Sequence, residues 1–125
     1  MTSSRGFFAD RAKRATPARR VADAVAAEAE RLGVQMVMQT CDYTPNVADL
    51  LWVERVVGDR GAGAAAIDAL TAAADAAGVT IWLHVFHDAP GLRRLYFDRG
   101  WRPDADDGDG DLVMVRAPAG ATVTP

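Results

Sequence analysis

The sequence predicts an α/β fold built on a mixed β-sheet with helices on its faces. Three observations carry this. Apolar runs at 50–57 (LLWVERVV) and 79–86 (VTIWLHVF) read as buried strands, and an Ala-rich helical segment lies between them. Strand–helix–strand order implies a parallel pair joined by a right-handed crossover. Glycines at 33, 78 and 100 stop each of three helical segments.

Thr16-Pro17 opens the first helix, a hydroxyl cap followed by proline at the first helical position. Val21, Val25, Ala29 and Leu32 share one face of it. Residues 34–40 (VQMVMQT) form a strand, and Asp42 to Asn46 a turn punctuated by Pro45-Asn46. The run 50–57 is apolar on both faces apart from Glu54 and Arg55, which predicts a central strand covered on both sides. Gly58-Asp59-Arg60-Gly61-Ala62-Gly63 breaks the chain, and a helix follows to about Ala77 with Ile67, Leu70, Ala74 and Ala77 inward. A strand at 79–86 and a short helix from Gly91 to Arg99 come next. Trp101-Arg102 starts another strand, Asp104 to Asp111 is an acidic turn, and Leu112 to Arg116 is the last strand. The order is α-β-β-α-β-α-β-β, with antiparallel pairs flanking the parallel one.

At 125 residues the chain suits one domain, expected over 17–117, with a basic arm at 1–16 and a loose tail at 118–125. Half the residues are apolar and a quarter charged, as in ordinary globular proteins. No apolar run approaches the roughly 20 residues of a membrane span, so no membrane partner is expected. The single cysteine, Cys41, precludes an internal disulfide and suggests a reducing, cytoplasmic setting; it reads as a small buried hydrophobe. Arg5, Arg11, Lys13, Arg14, Arg19 and Arg20 crowd the first 20 residues against Asp10 alone. That start reads as a solvated arm, with Phe7 and Phe8 docking it on the body; a transit peptide or a nucleic-acid arm are its alternatives. The acidic remainder argues against DNA or RNA as the main partner.

The chemistry concentrates at Arg60-Gly61-Ala62-Gly63, where a strand hands over to a helix. Glycines there let backbone N–H groups face an anion, and the helix dipole favours negative charge. Ala64, Ala65 and Ala66 keep the first turn open to a pyrophosphate. A Walker loop needs Gly-Lys-Ser/Thr, which is absent, and Lys13 is the only lysine. A dinucleotide site needs an acidic ribose ligand after the next strand, where His84-Val85-Phe86-His87 stands instead. The plain structural reading is a glycine turn that packs a helix on a sheet. His84 and His87 point to opposite strand faces, and the acidic run DADDGDGD at 104–111 lacks the glycine and the closing glutamate at the spacing of a calcium loop, so no metal is expected.

Leu95-Tyr96-Phe97-Asp98-Arg99-Gly100-Trp101 closes the short helix. With the glycine loop and the helix between, residues 50 to 116 resemble the GNAT superfamily of N-acetyltransferases. The family has a Q/R-x-x-G-x-G/A phosphate loop, then a helix, a strand and an L-Y-x-x-x-G-F element. Two registers fit the loop: Arg60, Gly63 and Ala65, or Gly58, Gly61 and Gly63, the second placing Ile67 and Leu70 inward. The part before the central strand, which shapes the acceptor pocket, is shorter than is usual in the family.

The resemblance implies an acetyl-CoA-dependent N-acetyltransferase, with acetyl-CoA as co-substrate and a primary amine of a small molecule, peptide or protein as acceptor. The alternative is a catalytically silent acyl-CoA-binding or protein-interaction module on the same fold, and a homodimer is an assembly this reading admits. Two parallel strands would splay to admit the pantetheine arm, here the strands ending at Val57 and Phe86. Val56, Val57, Gly58, Arg60, Gly61, Ala62, Gly63 and Ala64 would bind the coenzyme, an amide near Val56 or Val57 polarising the thioester carbonyl. Tyr96 matches the tyrosine that protonates the departing thiolate. Glu54, on the central strand, and His84, on the facing one, are both candidates for the base.

Overall fold

A computed structural model describes residues 16–55, 61–85, 90–106 and 112–119. The element order is α1 (Pro17–Arg31), β1 (Val34–Cys41), β2 (Thr44–Arg55), α2 (Ala62–Ala77), β3 (Thr80–Val85), α3 (Pro90–Asp98), β4 (Arg102–Asp106) and β5 (Leu112–Arg116). This is the α-β-β-α-β-α-β-β sequence expected.

Five strands form one sheet in the order β1-β2-β3-β5-β4. β2 and β3 are parallel, joined across α2, while β1–β2, β3–β5 and β4–β5 are antiparallel. Both crossovers, through α2 and α3, advance across the sheet in the same direction. Right-handed connections therefore put both helices on one face. Asp68 of α2 and Arg99 just after α3 form an ion pair at 2.7 Å, which ties the two together on that side.

α1 begins as its sequence dictates. The Thr16 side chain accepts a hydrogen bond from the Arg19 amide at 3.1 Å, with Pro17 in the first turn. Ala18, Val21, Val25 and Ala29 bury one stripe of it against β1, β2 and α2. In α2 the inward residues are Ala62, Ala66, Ile67, Leu70 and Ala74; Ala77, expected inward, is exposed because the helix ends there. These side chains and Val34, Met36, Ala48, Leu50, Ile81, Leu83, Val85, Tyr96, Trp101 and Met114 form one continuous core.

The core lies on the helix face of the sheet. On the opposite face Gln35, Val37, Gln39, Asp49, Leu51 and His84 are exposed. Within the apolar run of β2, Leu50 is buried but Leu51 is 55% exposed, so the described part of that run is not covered on both faces as expected. Cys41, expected buried, is exposed, because strand alternation places it outward at the end of β1.

The β1–β2 turn is shorter than the expected 42–46. Asp42 and Tyr43 make it, and β2 starts at Thr44. Pro45 is tolerated because the pairing jumps from Cys41↔Thr44 to Thr40↔Ala48. At the other end of the sheet, Asp104 to Asp106 belong to β4 instead of the acidic turn, with Asp106 paired to Leu112.

Gly100 (φ +100°) turns the chain from α3 into β4, in a conformation that side-chain-bearing residues avoid. Beside it Arg116 donates from Nε to the Arg99 carbonyl at 2.8 Å and grips the Asp75 carboxylate through both terminal nitrogens at 2.7 and 3.0 Å. The Ala119 amide donates to the same carboxylate. The Arg116 guanidinium holds the Asp75 carboxyl below the usual carboxylate range, the Ala119 amide adding to this and partial burial opposing it.

Candidate active site

β2 and β3 pair only from Val47↔Thr80 to Leu50↔Leu83. Both strands continue beyond that point, but not with each other. β2 runs on to Arg55 against β1, and β3 runs to Val85 against β5. Two adjacent parallel strands have parted, leaving main-chain groups on their facing edges without ladder partners among the described residues.

A bulge marks the parting. Val37 pairs with Trp52 but Met38 pairs with Leu50, so Leu51 is an extra residue in β2. Bulges kink a strand and raise its twist, which turns β2 away from β3. This divergence begins at Leu51; the strand ends expected at Val57 and Phe86 lie outside the described residues.

The gap opens into a groove of about 390 Å³. Leu50, Leu51 and Val53 of β2 and Leu83, His84 and Val85 of β3 form its walls. Gly63, Ala64 and Ile67 of α2 line one end, and Leu92, Leu95 and Tyr96 of α3 complete it. Leu51 and His84 belong to the open face of the sheet, whereas Ile67 and Tyr96 belong to the helix face. The groove therefore reaches both sides.

At the α2 end, Gly61 is the N-cap with φ +97° and supplies no capping side chain; no acidic residue occupies the first turn. Among the described residues no side chain accepts from the first amides of the helix. A Cβ placed on Gly61 or Gly63 meets nothing within 4 Å, so the space beside this turn is open. Open donors, a favourable dipole and a cleft beside them suit an anionic diphosphate.

Tyr96 is 7% exposed, its ring edge-on to Trp101 with centroids 5.3 Å apart. Burial pushes its phenol above the ordinary value, so it is protonated throughout the neutral range. A buried neutral phenol at a groove wall is a proton donor for an anion forming there.

Of the site residues read from sequence, Gly63, Ala64, His84 and Tyr96 meet on the groove, and Gly61 and Ala62 begin the helix at its end. Glu54 is placed by its backbone alone, opposite Gln35 in the ladder. Val56, Val57, Gly58 and Arg60 lie outside the described residues. Sequence reasoning missed Leu51, Leu92 and Leu95 as groove residues; the extra residue at 51 leaves no mark in an unbroken apolar run. Among the described residues there is no group of three or more His, Cys, Asp or Glu able to hold a metal ion, and no helix long and apolar enough to cross a membrane.

The sequence matches no family model and no curated protein. Among solved structures, the chain is similar to Ard1 from Thermoplasma volcanium, with a TM-score of 0.50 and 20% identity. The fold is GNAT-like. The match covers 66% of this chain and 61% of that one, so this chain spans about three fifths of the length of its neighbour.

Proposed function

We propose that the protein is an acetyl-CoA-dependent N-acetyltransferase acting on a primary amine. The observation that carries this reading is the groove between β2 and β3, which leads from the open helix start at Gly61–Ala64 to the buried phenol of Tyr96. Acetyl-CoA suits these features: a diphosphate for the amides at the start of α2, a pantetheine amide for the edge of β2 beyond its pairing with β3, and an apolar lining for the arm.

The coenzyme supplies an activated acetyl thioester. The chain's own residues hold it and manage protons. The α2 amides bind the diphosphate, Arg60 supplementing their charge, and the edge of β2 orients the arm. Amides at Val56 and Val57 are the proposed donors to the thioester oxygen. As the amine nitrogen bonds to the acetyl carbon and the C–S bond breaks, Tyr96 gives its proton to the departing sulfur. The proton shed by the amine goes to His84 or Glu54, directly or through water. His84 lines the groove on the open face, and Glu54 stands on β2 opposite Gln35.

Thermal unfolding with acetyl-CoA tests the binding step. At a hundred times the dissociation constant the ligand adds about 2.7 kcal/mol, which raises Tm by several degrees. Release of free thiol in the presence of amines tests the transfer. Absence of any Tm shift at millimolar acetyl-CoA refutes the reading; a shift without thiol release leaves the silent acyl-CoA module.

A further inference from the structure

The open face of the sheet bears on which amine this groove would accept. Trp82 lies between the buried Ile81 and Leu83, so it stands on that face, half-buried, beside its ladder partners Asp49 and Val115. Val113, opposite His84, continues the apolar surface on the same side. Side chains two residues apart on one strand face are separated by about 6.6 Å. The groove mouth at Leu51 and His84 is thus one ring-sized step from Trp82 and Asp49.

We infer that the acceptor is a primary amine on an apolar, ring-sized body that lies on Trp82, Val113 and Val115, its nitrogen at the His84 mouth and its far end beside Asp49. This rests on the acetyltransferase reading above. An aromatic platform favours a flat apolar body. The exposed Asp49 carboxylate favours cationic acceptors and disfavours any that carry an anion at the far end. A small polar amine gains nothing from this surface.

The test is thiol release by the full chain with three amines: 2-phenylethylamine, ethanolamine and 4-(2-aminoethyl)benzoate. Burying a ring is worth one to two orders of magnitude, so kcat/KM for 2-phenylethylamine should exceed that for ethanolamine by about tenfold or more. The benzoate should be poorer than 2-phenylethylamine by about three- to fivefold, a gap that Asp49→Asn closes. Trp82→Thr, and independently Val113→Lys at the same face, should remove most of the preference for 2-phenylethylamine. The acetyl-CoA Tm shift should persist in all three variants.

Equal kcat/KM for 2-phenylethylamine and ethanolamine overturns the inference, as does a preference untouched by the face variants. No turnover of any of the three amines, with acetyl-CoA still bound, overturns it and spares coenzyme binding. No acetyl-CoA binding at all removes the parent reading and this one with it. A wild-type dimer that Trp82→Thr or Val113→Lys converts to monomer shows the face to be an interface between copies, which also overturns it.

Discussion

Tyr96 and Trp101 meet edge to ring, 5.3 Å between centroids and 69° between planes. The indole is fully buried, and the Arg116 guanidinium lies 5.7 Å from its centroid. Arg116 is itself fixed by Asp75 and the Arg99 carbonyl, so the phenol at the groove wall rests on a braced ring. Tyr96→Phe keeps this packing and removes only the hydroxyl that carries the proton. Turnover should fall about ten- to a hundredfold with the acetyl-CoA dissociation constant unchanged, measured by steady-state kinetics beside calorimetry. Unaltered turnover removes Tyr96 from the chemistry.

Trp101→Ala acts on the support. Truncating a fully buried tryptophan typically costs about 3–5 kcal/mol, so denaturant unfolding should show a loss of that order. A loss under 1 kcal/mol contradicts the packing described.

Gly63→Glu puts a bulky anion into space that is now open, at the end of the groove where a diphosphate is proposed to sit. Acetyl-CoA affinity should drop at least a hundredfold, with the circular dichroism spectrum and Tm close to those of the parent. Wild-type affinity in this variant moves the coenzyme elsewhere.

Asp75 ties stability to acid. Its carboxyl is held below the usual range by Arg116, so its contribution is complete above the unfolded-state pKa of about 3.9. The contribution fades as pH falls through the lower folded value. Asp75→Asn should cost about 2 kcal/mol at pH 7 and flatten the acid limb below pH 4 in urea melts. Parallel acid limbs for the two proteins refute the linkage.

Gly100→Ala forces a side chain into φ +100° and brings its Cβ to 3.2 Å from the Arg116 Nε. A loss of about 1–3 kcal/mol is expected in thermal or urea melts. A neutral result means the turn relaxes freely.

Most of the architecture was legible because each element carries local punctuation. Thr16-Pro17, Gly33, Gly78 and Gly100 mark helix ends through capping and turn chemistry that acts within a few residues. The errors came where tertiary context decides. Cys41 and Leu51 are apolar by type yet exposed, since no described helix packs on that side of the sheet. Pro45 suggests a turn, but an irregular ladder absorbs it. In the site, Tyr96 and the glycine junction were readable from their motif. The place where the strands part was not, since pairing register is a property of two or three strands together.

Period-two alternation gives the extra residue at 51 a further effect. Leu50 and Val53 both contribute to the packed side although three positions separate them, an odd step that an unbroken strand forbids. Everything in β2 after Leu51 therefore has inverted parity relative to what precedes it. A chain shortened by that one residue would keep Val53 on the packed side, now two positions from Leu50 and in regular register with β1, and would lose only the kink that turns β2 from β3, closing the cleft without altering any side chain proposed to do chemistry.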